Sequence, residues 1–374
     1  MMKNTGLNWL FFVALFSGIA ARLFVAALGH DFDFDSWVII AKVPLGGNVY
    51  ATTRYNFAPG WFLILHVLYF LAGHNPAAFR YFVPGFLSLV DAGIFYILWR
   101  KFGKLAGCWF FLNPISVIVS GYQNNFDNTA IFAGLLAAFL IKDEFDKPLS
   151  RQAILGLVVL GLSLVLKHVF FAFPFWLAVK QRGLGQKLLV ILIPVAIFFL
   201  SFVPFWAEGK QDIMQNVFLY RSYNTEFFYR MFVPLGLQYM FGSSQMIWLF
   251  LLAVFAFIYR QKSTIETMLL YTCVMVAPAP ASINEYLAIP LCFVATHLNL
   301  FTILYTFFGS LHELVDYNGL HLTQISGKNC IDLAIYMLCL ALVWVTWRQK
   351  IIAAAKFVFK WGALEIENQF RLKK

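Results

Sequence analysis

The stretch LNWLFFVALFSGIAARLFVAAL, residues 7–28, decides the fold class of this chain. It is apolar almost throughout and contains a single charge, Arg22. A helix of about 20 residues crosses the hydrocarbon core of a bilayer, which is about 30 Å thick. The run is too long for the core of a signal peptide, and no convincing cleavage site follows it. We therefore predict a retained first membrane-spanning helix.

The composition of the whole chain agrees with this prediction. Of its 374 residues, 61% are hydrophobic and 12% are charged, against about 45–50% and about 25% in an average globular domain. A soluble fold of this size buries only about 75% of its surface, which excludes a soluble enzyme, a disulfide-stapled secreted domain and a nucleic-acid-binding protein. The net charge of +10 therefore indicates basic cytoplasmic loops rather than a nucleic-acid partner.

Apolar runs recur along the chain, and no soluble domain, internal repeat or low-complexity segment separates them. They fall roughly at 7–29, 57–73, 81–99, 105–120, 128–141, 153–166, 169–179, 187–206, 246–259, 265–282, 286–310 and 331–347. We predict an all-α fold, a polytopic transmembrane helical bundle of about 10–12 spans. It forms a single integral membrane domain over residues 1–374.

Basic residues set the predicted orientation, because Lys and Arg are enriched in cytoplasmic loops. The basic segments are 100–104, 142–147, 180–187, 260–262 and the tail at 348–374. Placing all of them in the cytoplasm requires 57–73 to be a juxtamembrane or re-entrant helix. It also requires either that 286–310 crosses twice or that the number of crossings changes elsewhere. The first external loop, 30–73, and the second, 207–244, then lie together on the opposite side, each with juxtamembrane helices.

An acidic motif follows the first span directly, where Asp31, Asp33 and Asp35 alternate with Phe32 and Phe34. In extended backbone this alternation places all three acids on one side and both rings on the other. Like charges this close raise one another's pKa, which favours a general base. The alternative is a solvated loop that caps the next short helix, with Asp35 or the following serine as the N-cap.

The rest of the first loop contains Arg54 and Tyr55 within TRYNFAPGW, residues 53–61. Aromatic and charged side chains beside acids are typical of sugar sites, where rings stack on the pyranose and charges bind its hydroxyls. The alternative is the aromatic belt found at membrane interfaces. The turn GYQNNFDN, residues 121–128, adds Gln123, Asn125 and Asp127. It is denser in hydrogen-bonding groups than a plain loop needs, although an ordinary loop is the alternative.

Lys167 and His168 lie between two apolar runs, on the side of the membrane where a lysine departs from the positive-inside trend. Ionisable residues near membrane depth are candidates for function, and here a lipid phosphate or a sugar is the expected contact. Snorkelling of the lysine to headgroups is the alternative. Arg221 in the second external loop would serve the same phosphate. Glu285 lies at an outer helix end, where helix capping is the alternative to a substrate contact.

Two charges fall within predicted spans, Arg22 in the first and Asp91 in the middle of the 81–99 run. Each is costly alone in a membrane, and each can be offset by the other or by polar neighbours. We predict a structural role for this pair.

These motifs, in this order, resemble the GT-C superfamily of membrane glycosyltransferases, whose hallmark is an acidic motif in the first external loop. Asp33-Phe34-Asp35, followed by a glycine and tyrosine and then by the Arg54-Tyr55 run, is similar to the first loop of GPI mannosyltransferases. Asp91, the 121–127 turn, and Lys167 with a proline seven residues later are similar to glucosyltransferases that act on dolichol-linked oligosaccharide. Departures are the Asn-Glu-Tyr at 284–286 in place of His-Glu-Lys, and Gln123 and Asn125 in place of histidines.

The resemblance implies inverting transfer of a hexose, mannose or glucose, from a polyprenyl-phosphate donor to an acceptor hydroxyl on the non-cytoplasmic face. Asp33, with Asp35 second, is the expected base, and Lys167 with Arg221 or His168 is expected to stabilise the leaving phosphate. The expected substrate-binding residues are Asp31, Arg54, Tyr55, Gln123, Asn125, Asp127, Lys167, His168, Arg221 and Glu285. The partners are the lipid-linked donor, membrane lipids and an acceptor that is a glycan, a glycolipid or a protein.

Several points stay open at the level of sequence. No cofactor is required with certainty, and a divalent cation, Mg²⁺ or Mn²⁺, is compatible with the carboxylates. The expected location is a bacterial inner membrane, with the endoplasmic reticulum as the alternative. A membrane transporter or lipid flippase is the rival function, for which intramembrane charges would mark the path. A non-enzymatic subunit of a glycosylation complex is a further rival.

Overall fold

The chain folds into helices connected by short turns. The computed structural model describes residues 8–141, 143, 148–220, 244–281, 283–316, 319–322 and 328–371. Helix makes up 78% of the structure, and none of these ranges contains a strand. The predicted all-α class is confirmed.

The helices of these ranges are numbered here in chain order. They are α1 (Trp9–Leu28), α2 (Phe32–Ala41), α3 (Gly60–Leu71), α4 (Pro76–Lys101), α5 (Lys104–Phe111), α6 (Pro114–Gly121), α7 (Asp127–Leu140), α8 (Arg151–Leu166), α9 (Phe173–Lys180), α10 (Leu184–Leu200), α11 (Val203–Ile213), α12 (Ser244–Ile258), α13 (Thr264–Val276), α14 (Leu291–Thr296), α15 (Leu300–Val315) and α16 (Lys328–Arg371). Short 3₁₀ turns occur at Val49–Thr52, His168–Phe170 and Asn284–Ala288, and a π-helical turn at Met214–Phe218 continues α11.

Three helices are long and apolar enough to cross a membrane: α1, α4 and the 329–352 part of α16. Two bent pairs, α5 with α6 and α10 with α11, raise this number to five if each pair counts as one span. Six further apolar helices of the described chain have between 10 and 17 residues, which corresponds to about 15–26 Å at 1.5 Å per residue. By length and composition the structure therefore offers three to five spans, whereas the sequence predicts one for nearly every apolar run.

The breaks have local causes that the apolar runs conceal. Between α5 and α6, the side chain of Asn113 accepts a hydrogen bond from the Ile115 amide, and Pro114 occupies the first turn of α6. This N-cap starts a new helix inside the run 105–120, and the axis bends by 45°. Between α10 and α11 the bend is 80°, and Pro204 again lies in the first turn of the second helix. Proline is favoured there because its missing amide has no partner to lose.

The long helices bury some apolar side chains and expose others on the outer surface. On α1, Trp9, Phe16 and Phe24 are 74%, 67% and 65% exposed. Large contiguous apolar surfaces are rare on soluble monomers. This surface is typical of a helix that faces lipid, and it agrees with an integral membrane protein.

Arg22 and Asp91 lie in the interior with both side chains fully buried, and Arg22 Nη2 is 2.9 Å from Asp91 Oδ2. Asp91 also accepts hydrogen bonds from Ser120 Oγ at 2.7 Å and Asn128 Nδ2 at 2.7 Å. Arg22 donates to the carbonyl oxygen of Phe111 at 2.8 Å and to Ser116 Oγ at 2.6 Å. The predicted compensation of these two charges by each other is confirmed.

The first loop forms a second, smaller apolar core of its own. Helices α2 and α3 and the turn Val49–Thr52 pack around Trp37, Tyr50 and Trp61, with Phe202 and Phe205 contributed by the α10–α11 bend. Asn48 Nδ2 donates to Asp212 Oδ2 at 2.6 Å and so ties this loop to α11. At 12 residues, α3 is about 18 Å long, which is too short for a full crossing, as the sequence predicts.

The C-terminal helix α16 has 44 residues and continues to Arg371. The sequence ends its last apolar run at 347 and places the basic tail, 348–374, in the cytoplasm. The structure makes most of this tail a helical extension of the last candidate span. Of the second external loop, 207–220 is described and begins as α11, while the predicted juxtamembrane piece at 231–244 lies almost wholly outside the described residues.

Candidate functional site

The acidic motif forms the start of helix α2. Asp31 is the N-cap, and its Oδ1 accepts a hydrogen bond from the Asp33 amide at 3.0 Å. The prediction of extended backbone is therefore wrong. The alternative prediction of Asp35 or Ser36 as the N-cap is wrong as well, because the N-cap is Asp31. In a helix, side chains two residues apart diverge by about 200°, so Asp35 points away from Asp33 and is exposed. The predicted second catalytic acid, Asp35, does not join the site, and Asp31 takes its place.

Asp31, Asp33 and Glu285 form a compact carboxyl cluster. One carboxyl oxygen from each lies within 4.8 Å of the other two. Glu285 comes from the 3₁₀ turn Asn284–Ala288, more than 250 residues away in sequence, and it is 9% exposed. The structure thus brings the glutamate predicted from the sequence into direct proximity with the first-loop acids.

Burial and mutual repulsion shift the protonation of this carboxyl cluster. Burial, followed by the charges of Asp33 and Glu285, raises the pKa of Asp31 to about 9. Burial, followed by the charge of Asp33, raises the pKa of Glu285 to about 8. Burial also raises the pKa of Asp33, while the positive charge of Lys167 opposes that rise. Of the three groups, Asp33 is the one whose ionised form a neighbouring cation favours most directly.

Lys167 lies at the end of α8, in an aromatic and amide environment. Its Nζ is 2.6 Å from Asp127 Oδ1, and it donates to Asn125 Oδ1 at 3.3 Å. The ammonium group also lies 4.7 Å from the Phe126 ring centroid and 5.1 Å from that of Phe57, in cation–π range. Asn125 and Asp127 belong to the amide-rich turn, so the turn supplies the partners of the lysine.

A cavity of about 850 Å³ opens beside Lys167. Its polar end is formed by Asp127, Lys167, His168 and Tyr286. Most of the remaining wall is apolar, and it consists of Val169, Phe171, Trp248, Met275, Val276, Ala279, Pro280, Ala281 and Ile289, with Tyr220 and Gln245 at its edge.

The carboxyl cluster does not line this cavity. Asp33 nevertheless interacts electrostatically with both Lys167 and Asp127. Lys167 and Asp127 therefore line an apolar-walled cavity and lie near enough to Asp33 and Glu285 to interact with them electrostatically.

Three residues predicted to contact substrate have other roles or positions. Tyr55 is fully buried, and its hydroxyl donates to the Ala58 carbonyl at 2.6 Å and accepts from the Phe62 amide at 2.9 Å. It holds the first loop together and offers no surface to a ligand. Arg54 is exposed, with its guanidinium 4.5 Å from the Phe32 ring centroid, outside the carboxyl cluster.

Gln123 is also fully buried, and its Nε2 donates to Glu313 Oε2 at 2.7 Å. It therefore joins the amide-rich turn to helix α15, and its contact with substrate stays a prediction. Arg221 lies outside the described residues. His168 lines the cavity beside Lys167 as predicted.

Tyr286, His312 and Glu313 were not singled out by the sequence. Tyr286 lines the cavity, with its ring centroid 5.8 Å from Lys167 Nζ. His312 and Glu313 lie behind the 284–288 turn and the amide-rich turn. In the sequence, His312 and Glu313 are adjacent ionisable residues at the end of an apolar run. Such a pair is also expected where a helix simply ends at the membrane interface, so it did not indicate a site.

The carboxyl cluster has the chemistry of a divalent-cation site. Carboxylate oxygens are the ligands that Mg²⁺ and Mn²⁺ prefer, and three converge here within 4.8 Å of one another. Asp31, Asp33 and Glu285 are therefore the described residues that could hold a cation, which would neutralise their mutual repulsion.

Comparison with known proteins gives no match to this chain among family models, curated proteins or solved structures.

Proposed function

We propose that this protein is an inverting glycosyltransferase that moves a hexose from a polyprenyl-phosphate donor to an acceptor hydroxyl. The observation that carries the proposal is the position of Lys167, which lines an apolar-walled cavity and interacts electrostatically with Asp33 of the carboxyl cluster. The ammonium group of Lys167 can bind the phosphate of an amphiphilic donor. The nearby carboxyl groups can accept a hydrogen bond from the acceptor hydroxyl.

The cavity supports a lipid-linked donor over a nucleotide sugar. Its wall offers apolar side chains, including Phe171, Trp248 and Met275, and its polar end offers Lys167. An isoprenoid chain would pack against the apolar wall, and a phosphate would bind to Lys167. The sequence contains no glycine-rich phosphate-binding loop of the kind that holds nucleotides.

The proposed reaction is a single displacement at the anomeric carbon. Asp33 accepts the proton of the acceptor hydroxyl. The oxygen forms a bond to the anomeric carbon from the face opposite the lipid phosphate, and the bond between that carbon and the phosphate oxygen breaks. The phosphate leaves with the electron pair, and Lys167 stabilises its charge. Asp31 and Glu285, with raised pKa values, hydrogen-bond the acceptor, and burial raises the pKa of Asp33, which favours a general base.

The proposed setting is a polytopic membrane protein of about 10–12 crossings, with the site on the non-cytoplasmic side. The bent pairs and short helices of the described chain combine into these crossings and into re-entrant segments, which are tolerated where protein surrounds them. The hexose is mannose or glucose, and the acceptor is a glycan, a glycolipid or a protein. The membrane is a bacterial inner membrane or the endoplasmic reticulum.

The test is turnover of labelled polyprenyl-phosphate mannose and glucose by the purified protein, with alkyl glycosides as acceptors. We expect transfer of label and release of lipid phosphate. Asp33→Asn should lower the rate by about 10²–10⁴-fold, the usual contribution of a general base, with normal expression. Asp35→Asn is the matched control, because Asp35 is exposed on the opposite side of the same helix, and it should stay near the wild-type rate.

Three outcomes would contradict the proposal: an inactive wild type on both donors, near-full activity of Asp33→Asn, or equal loss in both variants. Movement of lipid-linked sugar across vesicles without transfer would instead favour the flippase. The Arg22–Asp91 pair gives that rival no support, because both side chains are fully buried and bonded to packed neighbours.

A further inference from the structure

Helix α15 presents one polar face to the interior behind the site. Tyr305, Gly309, His312 and Glu313 are all buried, at spacings of four, three and one residues. Positions i, i+4, i+7 and i+8 lie on the same side of an α-helix. This face packs against two separate turns, and each turn carries residues of the site.

The first contact is with the 284–288 turn. The Tyr305 hydroxyl donates to the Leu287 carbonyl at 2.6 Å, and His312 Nε2 lies 3.0 Å from Asn284 Oδ1. Glu285 and Tyr286 lie between these two anchoring points. The face of α15 therefore fixes the turn on both sides of the residues that reach the carboxyl cluster and the cavity.

The second contact is with α6 and the amide-rich turn. Gln123 Nε2 donates to Glu313 Oε2 at 2.7 Å. One turn of helix earlier, Gly309 allows close packing, since an added Cβ would lie 2.6 Å from Ile115 Cδ1. Gln123 is two residues before Asn125, whose Oδ1 accepts hydrogen bonds from Lys167 and from the Asp127 amide.

Both ends of the site thus depend on a single helix. We propose that Glu313, through Gln123, and His312, through Asn284, are positioning residues that set the separation between Lys167 and the carboxyl cluster. The inference rests on the proposed transferase function, since it concerns the geometry of that reaction. Apolar side chains would join the helices with equal or greater stability, whereas a directional carboxyl–amide contact fixes an orientation as well.

The test measures kcat and donor KM for Glu313→Ala and Glu313→Gln. Gln keeps an oxygen that can accept from Gln123, and Ala removes it. A misplacement of about 1 Å costs about 100-fold in rate, so we expect Glu313→Ala to lower kcat by about 10–100-fold. Donor KM should change little, and Glu313→Gln should stay within about threefold of wild type. Leu311→Ala, on the partly exposed side of α15, is the matched control and should leave kcat unchanged.

A double-mutant cycle isolates the contact itself. If Gln123 and Glu313 act as a unit, Gln123→Ala should lower kcat as much as Glu313→Ala, and the double variant should lose no more than either. If Glu313→Ala does not fold, the kcat of Gln123→Ala tests the positioning role by itself. That variant removes the same hydrogen bond and keeps the Glu313 side chain in the core.

Failure of this inference is distinguishable from failure of the proposed function. An inactive wild type contradicts the function. An active wild type with unchanged kcat per folded molecule in Glu313→Ala and Gln123→Ala, or with losses that add in the double variant, overturns the positioning role. A lowered melting temperature with unchanged kcat also overturns it, because the contact would then be structural only.

Discussion

At the scale of single residues, Asp31, Asp33 and Glu285 are too close to carry three negative charges at neutral pH. Their carboxyl oxygens lie within 4.8 Å of one another, and burial contributes more than repulsion to the raised pKa of each. The folded protein therefore holds protons on this cluster that the unfolded chain releases at a pH near 4.

This difference predicts that alkaline pH lowers stability. A carboxyl whose pKa is raised by folding favours the folded state fully below its unfolded pKa, and the benefit is lost as pH rises through the folded pKa. With pKa values of about 9 for Asp31 and about 8 for Glu285, the melting temperature should fall between pH 6 and pH 9. The measurement is thermal unfolding of the purified protein in EDTA, so that no cation occupies the carboxyl cluster.

Asp31→Asn and Glu285→Gln provide the internal control for that measurement. Each removes one titrating group and keeps the shape of the side chain, so each should flatten the dependence of melting temperature on pH. A wild-type profile that rises with pH over this range, or that both variants leave unaltered, would contradict the protonation assigned to the cluster.

Local chemistry made some site residues predictable and left others hidden. Asp33 and Lys167 could be found because a charge beside apolar runs is costly and therefore informative. The position of Asp35 outside the carboxyl cluster could not be predicted, because its orientation depends on whether α2 is helical and alternating acids and rings suggest a strand. Tyr55 and Gln123 carry typical ligand-binding side chains, but only tertiary packing shows that their polar groups are already bonded.

At the scale of elements, the Arg22–Asp91 pair joins five helices, since Arg22 also donates to the carbonyl oxygen of Phe111 at the end of α5. Arg22 lies on α1 and Asp91 on α4, and their hydrogen bonds reach Ser116 and Ser120 of α6 and Asn128 of α7. Asn128 follows Asp127, so this network also holds the beginning of α7, where the lysine's ion-pair partner is located.

Breaking this pair should destabilise the protein strongly. Removing one partner of a buried ion pair leaves the other charge uncompensated, which costs about 3–5 kcal/mol. We expect Arg22→Met and Asp91→Leu each to lower the free energy of unfolding by this order, and the double variant to be more stable than the sum of the two losses predicts. Thermal unfolding of the purified variants is the measurement. Single variants as stable as wild type, or strictly additive losses, would contradict a coupled structural pair.

The existence of most helices was predictable from apolar runs, whereas their ends were not. Runs of apolar residues indicate helix but do not reveal an N-cap inside them, such as Asn113 before Pro114. The 30–56 segment, predicted as a loop, contains α2, because Asp31 caps it and Trp37 packs into the first-loop core. The α2 segment is apolar at most positions, but the alternating acids and rings at its start suggest a strand, and packing of its buried side chains stabilises the helix.

At the scale of the whole molecule, the distribution of basic residues predicts a single orientation in the membrane. Residue 51 of the first loop should lie outside and residue 104, between α4 and α5, inside. Both positions are exposed, and the five native cysteines are buried or partly buried. In right-side-out vesicles, an impermeant maleimide should label Ala51→Cys and should label Lys104→Cys only after permeabilisation. Equal labelling of both, or the reverse pattern, would contradict the orientation.

The proposed transferase function depends on a lipid phosphate that binds in the cavity beside Lys167. The most direct measurement is photo-crosslinking of the purified protein with a photoreactive polyprenyl phosphate, followed by peptide mapping. We expect adducts on the cavity wall, at Phe171, Trp248 and Met275, which excess unlabelled lipid phosphate removes and which Asp33→Asn retains. Adducts confined to the exposed surface of α1 or α16, unaffected by competitor, would contradict the account.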